Sequence, residues 1–114
     1  MSKLVPSRGQ PPLTAAVFHI LLALADGPLH GYAIMQAVEA SAGANMRTGP
    51  GTIYGSLQRM EDAGLVRELT ALGDNRRRVF GLQPAGRRAL EAEARRLTKL
   101  ATLVRAKRLI PGER

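Results

Sequence analysis

Gly49-Pro50-Gly51-Thr52-Ile53-Tyr54-Gly55-Ser56-Leu57-Gln58-Arg59-Met60-Glu61-Asp62-Ala63-Gly64-Leu65-Val66 decides the reading of this chain. Gly49-Pro50-Gly51 breaks the preceding structure, Thr52 can accept from the orphan amides of a helix start, and Ile53, Leu57 and Met60 recur at helical spacing. The spacing predicts a short helix with one apolar stripe. Gly51, Thr52, Tyr54, Gly55, Gln58 and Arg59 fall on the other side, a face of small, hydrogen-bonding and cationic groups that suits a DNA groove. Gly64 should stop the helix. The chain then predicts a hairpin from Leu65 to Thr70, a tip at Gly73-Asp74-Asn75 and a return over Arg76 to Leu82. A helix followed by a basic hairpin suggests a recognition helix with a wing.

The composition supports an anionic partner. In 114 residues, 17 Lys plus Arg stand against 9 Asp plus Glu, a formal charge of +8. The excess is mostly arginine, whose planar fork binds phosphate and guanine edges. The plain alternative is a merely solvated basic surface. The length suits one domain with one core. Cysteine is absent, so disulfides, thiolate metal sites and a cysteine nucleophile are excluded. The longest apolar stretch, Leu13 to Ala25, contains His19 and is too short to span a bilayer. These features lead us to expect a cytoplasmic protein without cofactor, metal or membrane partner.

Working outward, residues 1–10 lack periodicity and read as a flexible arm. Residues 11–83 read as the DNA-binding domain, 84–110 as a C-terminal dimerisation helix and 111–114 as a tail. Pro11 and Pro12 suit a first helical turn, and Leu13, Val17, Ile20, Leu21 and Leu24 trace the stripe of the first helix. Ala16, Phe18 and Leu22 widen its apolar surface, which predicts packing on two sides, one of them a second subunit. Asp26-Gly27-Pro28-Leu29 reads as a turn. A second helix follows from His30, with Ile34, Val38 and Ala42 one turn apart and Gly43 as its stop. Arg47 lies just before the central helix, where phosphates would be. Gln83-Pro84 opens the last helix, whose Leu90, Ala94, Leu97, Ala101 and Val104 form a coiled-coil-like seam broadened by Leu100 and Leu103. A lone helix cannot bury that seam, so it predicts a homodimer.

Several blocks together resemble one family: Leu29-His30-Gly31-Tyr32-Ala33-Ile34; Gly49-Pro50-Gly51-Thr52-Ile53-Tyr54; Leu57 to Val66; and Arg76-Arg77-Arg78-Val79-Phe80-Gly81-Leu82 with Gly86. In that order they look like the PadR family of bacterial transcriptional regulators, in its compact branch. The resemblance covers about Leu13 to Leu103. It implies a mostly α fold with a small β-hairpin, a winged helix-turn-helix plus a C-terminal helix. It also implies a homodimer held by the last and first helices, and repression of a near-palindromic operator relieved by a small effector. The chain departs from the pattern at Val79-Phe80, where the wing usually carries an aromatic pair, and at Gln83, where threonine is usual. Tryptophan is absent, so the aromatic sandwich by which some compact members hold planar drugs does not carry over.

For individual residues the readings divide. Tyr54 either reaches a phosphate or sugar edge or covers the core rim; the adjacent Gly55 favours DNA contact. Gln58 and Arg59 are the types that read adenine and guanine, while Arg59 could equally pair with Asp62 or Glu61. Arg76, Arg77 and Arg78 point to both faces of a strand, which favours phosphate or minor-groove contact. Phe18 and Leu22, with Leu90, Ala94, Leu97, Leu100, Ala101 and Val104, mark a dimer and effector zone suited to a small, planar, apolar ligand, since no buried charge is evident there. His30 should cap its helix or hydrogen-bond in the interior, and His19 should be a core or interface histidine. No nucleophile-base pair or facing carboxylates appear, so an enzyme is a poor reading. A protein-protein adaptor and an effector-independent DNA-binding protein remain as alternatives.

Overall fold

The structure, a computed structural model, describes residues 13–43, 49–69 and 78–112. Within them the order is α1 (Ala15–Ala23), β1 (Leu29–His30), α2 (Gly31–Ala42), α3 (Pro50–Asp62), β2 (Val66–Glu68), β3 (Val79–Leu82) and α4 (Pro84–Ala106). The expected arm, Pro11, Pro12, Arg47, the hairpin tip, Arg76 and Arg77 lie outside the described residues. Among those described, no helix is long and apolar enough to cross a membrane.

Each helix starts for a local reason. Thr14 caps α1, its hydroxyl accepting from the Val17 N–H at 3.2 Å. Gly49 and Gln83 occupy the cap positions of α3 and α4, each followed by a proline whose missing N–H costs nothing in a first turn. Thr52 therefore does not cap α3; it sits exposed within the first turn. His30 occupies the cap position of α2 but makes no side-chain cap bond, contrary to the expected role, and its side chain is exposed. Instead the N–H of Gly31 donates to the Arg78 carbonyl at 3.1 Å, so the hairpin satisfies the start of α2.

The sequence missed β1. What reads as a turn is a two-residue strand paired antiparallel with β3 through Leu29↔Phe80 and His30↔Val79, giving the order β1-β3-β2. On the other side Val66, Arg67 and Glu68 pair with Leu82, Gly81 and Phe80. The free edge of β2 is closed by α3, because the Glu68 N–H donates to the Glu61 carboxylate at 3.3 Å.

The helices and one face of the sheet enclose a single buried cluster. Ile20, Leu21 and Leu24 meet Ile34 and Val38 of α2, Ile53, Leu57 and Met60 of α3, Val66 and Phe80 of the sheet, and Ala89 and Leu90 of α4. Each large side chain so buried contributes roughly 1.5–3 kcal/mol relative to exposure. Leu90, at 5% exposure, is thus part of this core and leaves the seam assigned to it. Gly86 brings α4 onto Leu65: a Cβ there would overlap the Leu65 carbonyl. His19, half-buried, ties α1 to α2 through a 2.6 Å hydrogen bond between its Nδ1 and the Ser41 hydroxyl.

Candidate nucleic-acid interface

The core fixes which way α3 faces. Ile53, Ser56, Leu57 and Met60 are buried, so Gly51, Thr52, Gln58 and Arg59 are turned outward and all four are exposed. Gly55 is half-buried beside them; a Cβ placed there would meet the Arg59 guanidinium at 3.7 Å, an ordinary contact. Gln58 donates to Asp62 at 3.1 Å, and Arg59 donates to the Ser56 hydroxyl at 3.3 Å. Arg59 thus takes neither Asp62 nor Glu61, the partners its sequence neighbourhood offered. Both tethers are single, exposed or half-exposed hydrogen bonds, weak enough to be exchanged for a base edge. At the helix start the Gly51 and Thr52 amides fall among those with no intrahelical acceptor, a geometry that receives phosphate.

Tyr54 takes the second of its two sequence readings, the core rim, and Arg78 is engaged within its own chain. Tyr54 is half-buried, its ring 6.2 Å from that of Phe80 and its phenol against Gly31, which places it at the core rim. The Arg78 guanidinium grips Glu68 with two bonds, Nε to Oε2 at 3.1 Å and Nη2 to Oε1 at 2.9 Å. It also lies 5.2 Å from the Tyr54 ring centre and 5.3 Å from that of Phe80. The hydrogen bond to Glu68 pushes its pKa further up.

The second zone runs along α1 and α4. Leu22 is exposed, Phe18 half-buried; on α4, Ala94 and Leu100 are exposed while Leu97, Ala101 and Val104 are half-buried. Leu103, Leu109 and Ile110 add further exposed apolar surface. The sequence missed Glu93, only 6% exposed, so the zone does contain a buried charge. Arg96 donates to it through two nitrogens of its guanidinium, Nε reaching Oε1 at 3.1 Å and Nη2 reaching Oε2. The Arg96 hydrogen bonds hold its carboxyl below the usual range despite desolvation. The signal was present: Glu93 falls between Leu90 and Leu97 in three-four spacing, with Arg96 one turn on.

Comparison with known proteins bears on this geometry. Residues 20–92 match the model of the Transcriptional regulator PadR-like family. The chain is 52% identical over 82 residues to an uncharacterized 37.1 kDa protein in transposon TN4556 of Streptomyces fradiae, covering 72% of this chain and 23% of that protein. It therefore spans less than a quarter of that relative's length. It is 39% identical over 88 residues to the transcriptional regulator Rv3488 of Mycobacterium tuberculosis, covering 76% of this chain and 79% of that one. Its fold is similar to that of Bacillus subtilis PadR in complex with operator DNA, with a TM-score of 0.60 and 22% identity over 73% of this chain and 48% of that one. The match over residues 20–92 and the identity to a curated regulator carry the resemblance read from the motifs to its conclusion: the chain belongs to the PadR-like family of DNA-binding transcriptional regulators.

Proposed function

We propose that the protein is a homodimeric repressor that inserts α3 of each subunit into successive major grooves of a near-palindromic operator and is released by a small apolar or phenolic effector. The outward arc of α3 carries this reading. A core-anchored helix presents Gly51, Thr52, Gly55, Gln58 and Arg59 together, with small groups where a backbone must come close and an amide and a guanidinium where base edges would lie. Arg47, Arg76 and Arg77 would add phosphate contacts, and the net charge of +8 favours the encounter.

The dimer is supported by α4. Leu97, Leu100, Ala101 and Val104 of α4, and Leu22 of α1, leave apolar surface that a second copy would cover, and the two α3 helices of such a dimer must sit roughly 34 Å apart to enter successive major grooves. A ligand wedged near Phe18, Leu22, Leu97 and Leu100 that preferred a misaligned dimer would by linkage weaken DNA binding by the same factor. The deciding experiment selects bound fragments from the source genome and measures their affinity by fluorescence anisotropy. A recovered near-palindrome bound by a dimer is expected, and failure to enrich any sequence overturns the reading. Release is tested by titrating phenolic and drug-like compounds against the bound complex; indifference of every hit to Phe18→Ala and Leu97→Ala would remove the effector from this zone.

A further inference from the structure

Four elements meet at the root of the hairpin, and Arg78 touches all of them. Its guanidinium grips Glu68 of β2, lies over Tyr54 of α3 and Phe80 of β3, and its carbonyl takes the N–H that opens α2. Glu68 is itself tied to α3, its N–H donating to Glu61. Among the described residues, two side-chain links from the recognition helix therefore converge on Glu68 of β2, one from Glu61 to its N–H and one from Tyr54 through Arg78 to its carboxylate.

We propose that Arg78 is a positioning residue: acting through Glu68 and Tyr54, it sets the hairpin on α3, and it does not spend its charge on a DNA phosphate. This rests on the reading of α3 and the hairpin as the DNA interface. The planar fork of arginine matches a carboxylate with two parallel bonds while its face lies over aromatic rings, a combination lysine cannot make. With Glu68 at 2.9 Å neutralising it, Arg78 projects little net field toward a phosphate. At 42% exposure the ion pair alone would be weak. Held to both rings and to β2, it has one geometry, and that geometry fixes the offset between the helix that enters a groove and the hairpin beside it.

The charge signs make the test sharp. Glu68→Gln removes a negative charge from a surface that faces a polyanion. If Arg78 were a phosphate contact, freeing it from Glu68 would tighten binding; if it positions the hairpin, binding weakens. Arg78→Lys keeps the charge and loses the fork, so a phosphate contact would survive it and a positioning role would not. The full-length protein is titrated onto its selected operator by fluorescence anisotropy across a salt series, with thermal melts of each variant alongside. Glu68→Gln, Arg78→Lys and Arg78→Ala should each raise Kd on the order of tenfold, with the double variant Glu68→Gln/Arg78→Ala no worse than Arg78→Ala alone. The slope of log K against log salt should stay at the wild-type value, whereas loss of a phosphate contact lowers it by roughly one. Tighter binding by Glu68→Gln, wild-type affinity in Arg78→Lys, a reduced slope in Arg78→Ala, or lowered melts with unchanged Kd would each overturn the proposal while leaving the DNA reading standing. Wild-type protein that enriches no sequence removes both.

Discussion

The phenol of Tyr54 occupies the space beside Gly31, so a Cβ on residue 31 would overlap the hydroxyl and the ring. Glycine opens α2 for this close approach: its neighbour on α3 needs the volume. Gly31→Ala must push the ring off Phe80 and from under Arg78, a small-to-large change of the kind that costs about 1–3 kcal/mol. Urea unfolding should register that loss in the wild-type background and little of it with Tyr54→Ala, where the ring is gone. An equal loss in both would place the strain elsewhere.

Base reading and phosphate binding should separate along α3 and the hairpin. Alanine at Gln58 or Arg59 is expected to cost about 1–3 kcal/mol on the operator and much less on random DNA. Alanine at Arg77 should weaken both alike and lower the salt slope by roughly one. Anisotropy on the two DNAs checks this, and uniform losses for all three would show that the outward arc of α3 does not read bases.

Much of this was legible in the sequence because period and punctuation agreed. Ile53, Leu57 and Met60 set the buried stripe of α3, and Pro50, Gly64 and Pro84 marked boundaries that the helices respect within a residue or two. Strand β1 was not legible, since two residues carry no period and Leu29–His30 pair only because β3 lies beside them. In sequence Arg78 reads as one of a basic run, because its partner Glu68 is ten residues away. Only the register Glu68↔Phe80 reveals that Arg78 lies diagonally opposite the carboxylate. For Leu90, helical spacing identified an apolar stripe without telling which neighbour would cover it.

That distinction between neighbours is testable on α4. Leu100, at 43% exposure, is not needed by its own subunit, so Leu100→Glu should leave a folded chain that light scattering finds as a monomer at micromolar concentration, with operator binding lost. Leu90→Glu buries a charge in the subunit's own core and should abolish cooperative unfolding itself. A Leu100→Glu protein that remains a dimer would remove α4 from the interface.

Glu93 predicts an acid dependence with a definite sign. Its folded carboxyl titrates below the ordinary value of 4.5, chiefly because Arg96 donates to the charged form. A carboxyl whose folded pKa is depressed adds stability that is complete above its unfolded pKa and is lost as pH falls through the folded value. Wild type should therefore exceed Glu93→Gln in stability at neutral pH, and the gap should close below about pH 4.5. Arg96→Met should be more harmful than the double variant Glu93→Gln/Arg96→Met, because it strands a charge that is 6% exposed without its principal partner. Urea unfolding followed from neutral pH downward measures both comparisons; a gap that widens in acid would mean that the folded state favours the protonated carboxyl and that Arg96 is not what governs it.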